Sequence, residues 1–211
     1  MNDKVKKAKF EAYIGYYQSF MSYFGSYIRA VGVLINHVEE KESSVDTIAY
    51  PIMFLVRQCL ELGLKANIRY FKKYSKVNNH VKANTHHLKP LQDAFKVHIL
   101  KTIENLKNEN GVIVDKGEID EFNNYFAKLD QLTTIFDKLD KDSDAFRYPV
   151  DKKEEDSFEH SETVNILEVY ELLKEVETLL AYTAAVFQKY TDYADTIEQY
   201  YREEMEKMYQ P

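Results

Sequence analysis

In Lys4–Glu40 the large side chains recur at Tyr13, Tyr16, Phe20, Tyr23, Tyr27 and Leu34, and those steps of three, four and seven trace one stripe of a helix. Phe24 and Ile28 flank the stripe. Gly15, Gly25 and Gly32 each cost a helix about 1 kcal/mol against alanine, so a bend or a close helix neighbour is expected there. After a polar break at Glu40–Asp46, with Ser43, Ser44 and Asp46 as N-cap candidates, a second helix is predicted from Asp46–Tyr50 to about Tyr74. Pro51 fits only in its first turn, where backbone amides lack partners in any case. The first half of this helix is apolar almost all round, which predicts a central, buried position. Asn78, Asn79 and Asn84 place a loop at Ser75–Thr85, Pro90 sets the next helix start near His86–Lys89, and Asn110-Gly111 ends that helix. Ile119, Phe122, Phe126, Leu129, Leu132 and Phe136 carry a fourth helix over Gly117–Leu139. Asp140–His160 reads as a long polar connection, and the last helix starts after Ser161 and keeps its step from Val169 to Tyr201.

Only six glycines and four prolines punctuate 211 residues, so the pattern predicts an all-α, up-and-down bundle of about five helices in one domain, 1–211. A chain of this length buries roughly 70% of its unfolded surface and needs no disulfide or metal staple. The one cysteine, Cys59, lies in an apolar run, which fits a reducing, cytoplasmic setting. Met1–Lys9 is polar and basic without the apolar core of a signal peptide, and the most apolar window, Ile48–Val56, is far shorter than a bilayer span. No membrane partner is expected. The net charge of −7 argues against a general nucleic-acid binder, yet the charge is uneven. Lys65–Lys107 holds ten Lys or Arg against two acids, while residues 151–211 hold 16 acids against six bases. This predicts one electropositive region on an acidic body.

Three groups of residues carry candidate chemistry. Arg57, Glu61 and Lys65 stand at i, i+4 and i+8 on one face of the second helix, among Phe54, Leu55, Leu60 and Leu64, so the charges are partly desolvated. Buried charges persist only when paired and hydrogen-bonded. They form either a functional site or a structural pair in which Glu61 fixes Arg57 against a loop carbonyl. His86-His87 stands at the start of the third helix, where free amides favour an anion and an imidazole can act as a base or donate to phosphate. Capping the helix or filling the loop is the plainer role. Phe146-Arg147-Tyr148-Pro149 offers a guanidinium between aromatic groups, suited to phosphate or carboxylate, or else paired with Glu61 or the acidic last helix. Arg69 and Lys72 join a basic face with aromatic interleaving that runs through Lys73, Lys76, Lys82, Lys89, Lys96 and Lys101 beside Tyr70, Phe71 and Tyr74. The same lysines would equally face an acidic neighbour. His80, His86, His87 and His98 have neither a cysteine partner nor an i, i+4 pair, so no metal or other cofactor is expected.

At Arg57-Gln58-Cys59-Leu60-Glu61-Leu62-Gly63-Leu64-Lys65, with His86-His87-Leu88-Lys89-Pro90-Leu91 and Phe146-Arg147-Tyr148-Pro149, the sequence resembles an uncharacterised bacterial branch of the HEPN (higher eukaryotes and prokaryotes nucleotide-binding) superfamily. The likeness covers roughly residues 45–190, with the aromatic first helix and acidic last helix packed on that core. It implies a compact helical domain that binds RNA or a nucleotide phosphate. The family is rich in metal-independent ribonucleases of toxin–antitoxin and phage-defence systems, which work as dimers. A homodimer and an antitoxin or other defence-system partner are therefore implied. The family's usual Arg followed after four to six residues by His is absent here; Arg29 precedes His37 by one residue too many. The expected site comprises Arg57, Glu61, His87 and Arg147 as catalytic residues and Lys65, His86, Tyr148, Arg69 and Lys72 as ligand-binding residues. In it His87 would move protons, Glu61 would orient His87, and Arg57 or Arg147 would stabilise the phosphorane. The alternative from another class is a non-catalytic interaction module, antitoxin-like, scaffold or regulatory, dimerising through the first or last helix.

Overall fold

A computed structural model describes residues 7–41, 44–77, 85–140, 143–151, 153–158 and 163–208. The described chain is an all-α bundle: α1 (Phe20–Lys41), a single 3-10 turn (Val45–Thr47), α2 (Ala49–Ser75), α3 (Leu88–Asn110), α4 (Lys116–Leu139) and α5 (Ile166–Met208). The predicted helices α2, α3 and α4 form within a few residues of their expected bounds. Local chemistry sets those bounds. Lys76 and Gly111 leave α2 and α3 in left-handed backbone, the Asp115 carboxylate accepts the Gly117 amide to start α4, and Asn165 accepts the amides of Leu167 and Glu168 to start α5. The first helix is shorter than the aromatic stripe predicts. Gly15 adopts φ +92°, breaking the pattern, and Ser19 Oγ accepts the Ser22 amide at 3.0 Å, so helix begins at Phe20 and Tyr13 and Tyr16 lie in an exposed arm. Ser43, His80, Lys82 and Ser161, named above as caps, ligands or boundaries, lie outside the described residues.

α2 is the central helix, as its all-round apolar first half predicts. Ile52, Val56, Cys59, Leu60, Leu64 and Phe71 are buried, and α1, α3 and α5 all pack on it. Burial pushes the Cys59 thiol well above its ordinary range and so keeps it unreactive. α2 and α5 run in the same direction, since Asn67 donates to the Leu180 carbonyl, Tyr70 meets Thr191 and Lys73 meets Asp195. α3 also runs with α2: Arg57 reaches His86 ahead of α3, while Ser75 reaches His98 and Asn105 spans the carbonyls of Tyr74 and Ser75. Simple up-and-down alternation is thus interrupted once, between α2 and α3, which run side by side in the same direction. His86, just ahead of α3, therefore lies beside the middle of α2 and helps build the site below.

His98 is buried and its Nδ1 lies 2.7 Å from Ser75 Oγ; burial first, and Lys72 second, hold its imidazole below the ordinary histidine value. The unfolded chain therefore binds a proton there more readily than the folded one. Stability should be flat above about pH 6.5 and fall as the pH drops below it. Urea denaturation at pH 7.5 and 5.5 should show this acid loss in the wild type and less of it in His98→Gln; an equal loss in both would show that other groups set the slope.

Among the described residues no helix is long and apolar enough to cross a membrane.

Candidate functional site

Arg57 is 1% exposed, and its guanidinium is spent inside the fold. Nη1 lies 3.3 Å from Glu61 Oε2, Nη2 donates to the His86 carbonyl at 2.6 Å, and Nε sits 3.0 Å from Asp140 Oδ2. The last contact is an ion pair by distance, but the Nε–H does not point at the oxygen, and neither atom has a hydrogen bond. Burial is the largest influence on both partners, lowering Arg57 and raising Asp140. Their mutual attraction, with Glu61 on one side and the Ala145 amide on the other, opposes it. The geometry is therefore the structural alternative for Arg57: Glu61 and a loop carbonyl hold it, and no ligand can reach it without displacing them.

Glu61 is the hub. Its Oε1 accepts from Lys65 Nζ at 2.8 Å and lies 2.9 Å from His86 Nδ1. Burial alone would raise this carboxyl, but the hydrogen bonds and charges of Lys65 and His86 outweigh it and hold Glu61 below the usual carboxylate range. An ionised carboxylate can only accept, so Nδ1 of His86 must carry its proton. Its Nε2 has no partner among the described residues, and the ring is 74% exposed. The imidazole oriented by Glu61 is thus that of His86, where the sequence pattern assigns His87. The reason is local: His87 is the extended N-cap residue of α3, and its predecessor is the one that faces α2.

A cavity of about 620 Å³ opens over this cluster, with Glu61, His86, His87, Ser143, Asp144 and Arg147 in its walls. Arg147 bonds the Ser143 carbonyl through Nε (3.0 Å) and Nη2 (2.7 Å) and pairs with Asp144, which leaves Nη1 without a partner among the described residues. It meets neither Glu61 nor α5. Beside it lies a second cavity of about 350 Å³ walled by Tyr50, Phe146, Tyr148 and Phe158, and the Arg147 guanidinium sits 5.7 Å above the Tyr148 ring. Phe146 anchors this turn against Phe136 and Phe158, while Tyr148 is exposed.

The expected site residues therefore divide. Arg57, Glu61, His86, His87 and Arg147 meet at one cavity, with Lys65 behind Glu61 and Tyr148 next door. Arg69 does not join them; it lines a separate cavity between α1 and α2. Lys72 is exposed on α2 on the His98 side. Acids of the same chain meet part of the basic face. Lys73 pairs with Asp195, Lys76 with Glu109 and Glu198, Lys89 with Asp130 and Lys101 with Glu104. Such pairs add little stability, and they offset part of the positive charge along this face. Asp140 is the residue that the sequence pattern misses. One signal was available: Glu61 is shared with Lys65, so a buried Arg57 needs a second acid. Among the described residues no group of three or more His, Cys, Asp or Glu is placed to hold a metal ion.

The chain matches no protein-family model, no curated protein and no solved structure.

Proposed function

We propose that this chain is a HEPN-like helical domain that binds RNA or a nucleotide through a phosphate group in the cavity over Glu61, with His86 as the proton-handling residue. The observation that carries the reading is the Glu61–His86 contact at the mouth of a cavity that Arg147 also lines. A carboxylate that fixes one ring nitrogen as donor leaves the other as an acceptor at neutral pH and, once protonated, as a donor to an anion. Arg57 and Lys65 on one side, and the turn carrying Arg147 on the other, hold these groups in place. Around the cavity the basic groups of Arg57, Lys65 and Arg147 stand against the acids Glu61, Asp140 and Asp144.

Fluorescence anisotropy with a labelled single-stranded RNA and with ATP tests this at about 50 and about 200 mM salt. Wild type should bind one of the two probes, more weakly at the higher salt. Arg147→Ala should lose about tenfold in affinity, the worth of a charge-assisted hydrogen bond. His86→Ala should likewise lose about tenfold, since it removes the ring that Glu61 orients into the cavity. Wild type that binds neither probe, or binding untouched by either substitution, would refute the proposal. RNA cleaved by wild type and spared by His86→Ala would make the site a ribonuclease; binding without cleavage would make it a recognition module.

A further inference from the structure

Arg147 stands in the walls of both cavities, the one over Glu61 and its smaller neighbour of about 350 Å³. The smaller one is aromatic. The Phe158 ring lies 5.1 Å from Phe146 and 5.6 Å from Tyr50 in the first turn of α2, so the three rings make one continuous wall. Tyr148 adds a fourth ring beside Arg147. Anchoring the loop accounts for Phe146 and Phe158, which are half-buried and reach α4 through Phe136. It does not account for Tyr50 and Tyr148, which stay 55% and 56% exposed. Accessible ring faces around a small cavity are a platform on which another planar ring stacks.

The same cavity carries a carboxylate. Val150 and Asp156 form an antiparallel bridge, while the Ser157 amide and hydroxyl donate to the carbonyls of Pro149 (3.0 Å) and Tyr148 (2.8 Å). These bonds bring Asp156 back to the Phe146–Pro149 segment and into the cavity wall. An ionised carboxylate only accepts, so it selects a ring edge that offers donors. Among the RNA bases guanine alone presents two adjacent donors, N1–H and N2–H, on its Watson–Crick edge, and these match the two carboxylate oxygens. Adenine and cytosine set a ring-nitrogen lone pair beside the amino group, and uracil has a single donor between carbonyls. Either arrangement turns an acceptor toward the carboxylate and leaves it unsatisfied.

We infer, building on the phosphate reading proposed above, that the aromatic cavity is a base subsite selective for guanine, so that the ligand is a guanine nucleotide, free or within RNA. Phosphate lies on one side of Arg147, over Glu61 and His86. The base lies on the other, stacked on the tyrosine and phenylalanine wall with its donor edge toward Asp156. Stacking favours every base, and Asp156 supplies the choice among them. Both cavities have volumes usual for small-ligand sites.

Isothermal titration calorimetry of the full chain with GMP, AMP, guanosine and adenosine tests the assignment. GMP should bind at least about tenfold more tightly than AMP, the discrimination that one bidentate base contact gives. It should also bind at least about tenfold more tightly than guanosine, which lacks the phosphate contacts. Asp156→Asn should lower the ratio of GMP to AMP affinity by about tenfold, because an amide carries a donor and an acceptor and serves either base. Tyr50→Ala should weaken both nucleotides by about tenfold, and Tyr50→Trp should restore them. Asp156 and Tyr50 are exposed, so all three variants should keep their helical circular dichroism. GMP and AMP binding alike, both more tightly than guanosine, overturns the base subsite and leaves the phosphate reading standing. Guanosine binding as tightly as GMP, with adenosine weaker, does the reverse. A GMP preference that survives Asp156→Asn overturns the inference, as does nucleotide binding that Tyr50→Ala leaves unchanged. If none of these compounds binds, both readings fall. A short oligouridine with one central guanosine separates the two sources: binding tighter than GMP identifies RNA, and weaker binding a free nucleotide.

Discussion

Arg57→Ala should be the most damaging single change in the site, costing about 3–5 kcal/mol of folding stability. The wild-type side chain neutralises Asp140 and Glu61 and donates to the His86 carbonyl, all at buried or nearly buried atoms. Alanine leaves two buried carboxylates without their shared cation and a carbonyl without its donor. For a chain of this length the fall in Tm should be about 10 °C. The double change Arg57→Met with Asp140→Leu should recover most of the loss, since removing both members of a buried pair is far cheaper than stranding one. Glu61 would then keep Lys65 and His86 as partners. Thermal denaturation of the wild type, the single and the double variant decides it. A single variant within about 1 kcal/mol of wild type would show that water reaches the pair and that burial is not what holds it together. The same numbers matter for any functional experiment: lost binding in Arg57→Ala would report an unfolded site, which is why His86 and Arg147 are the informative positions.

The bundle was legible because helical periodicity is a local signal. Val169 to Tyr201 hold their step for more than eight turns, and the apolar run around Leu60 announces a buried helix without reference to any neighbour. The ends were legible only where a residue has a marked backbone preference. Gly111 closes α3 as expected, whereas Gly15 looked like one more helical glycine inside an aromatic stripe. Both histidines were visible, but which of them faces α2 depends on one residue of register at the α3 start, which no local pattern encodes. The partners of Arg57 were half visible. Glu61 sits at i+4 in the same helix, but Asp140 is 83 residues away, and nothing in its neighbourhood marks it as buried. The lysines show the same limit. Their clustering between Lys65 and Lys107 is plain in the sequence, but their neutralisation by Asp195, Glu198 and Asp130 follows from helix packing that no local pattern encodes.

Gly63→Val should destabilise the fold by about 3 kcal/mol, because α1 and α5 both close on α2 at this residue. A Cβ there would stand 2.7 Å from Leu180 Cδ1 and 3.1 Å from both Leu180 Cβ and Phe24 Cδ2. Neither neighbour has room to retreat, as Leu180 is 1% and Phe24 3% exposed. The approach is also fixed by hydrogen bonds: Asn67 Nδ2 donates both to the Gly63 carbonyl (2.9 Å) and across to the Leu180 carbonyl (2.8 Å). Gly63→Ala should lose less, about 1 kcal/mol, since relief of glycine's helix penalty offsets part of the clash. Gly25, with nothing within 4 Å of its would-be Cβ, is the control, and Gly25→Ala should gain up to about 1 kcal/mol. Leu180→Ala should lower the cost of Gly63→Val in the double variant, because the space vacated is the space required. Urea midpoints at constant slope measure all four. If Gly63→Val unfolds at the wild-type midpoint, α5 does not sit against α2 at Leu180. The parallel placement of those helices would fall with it.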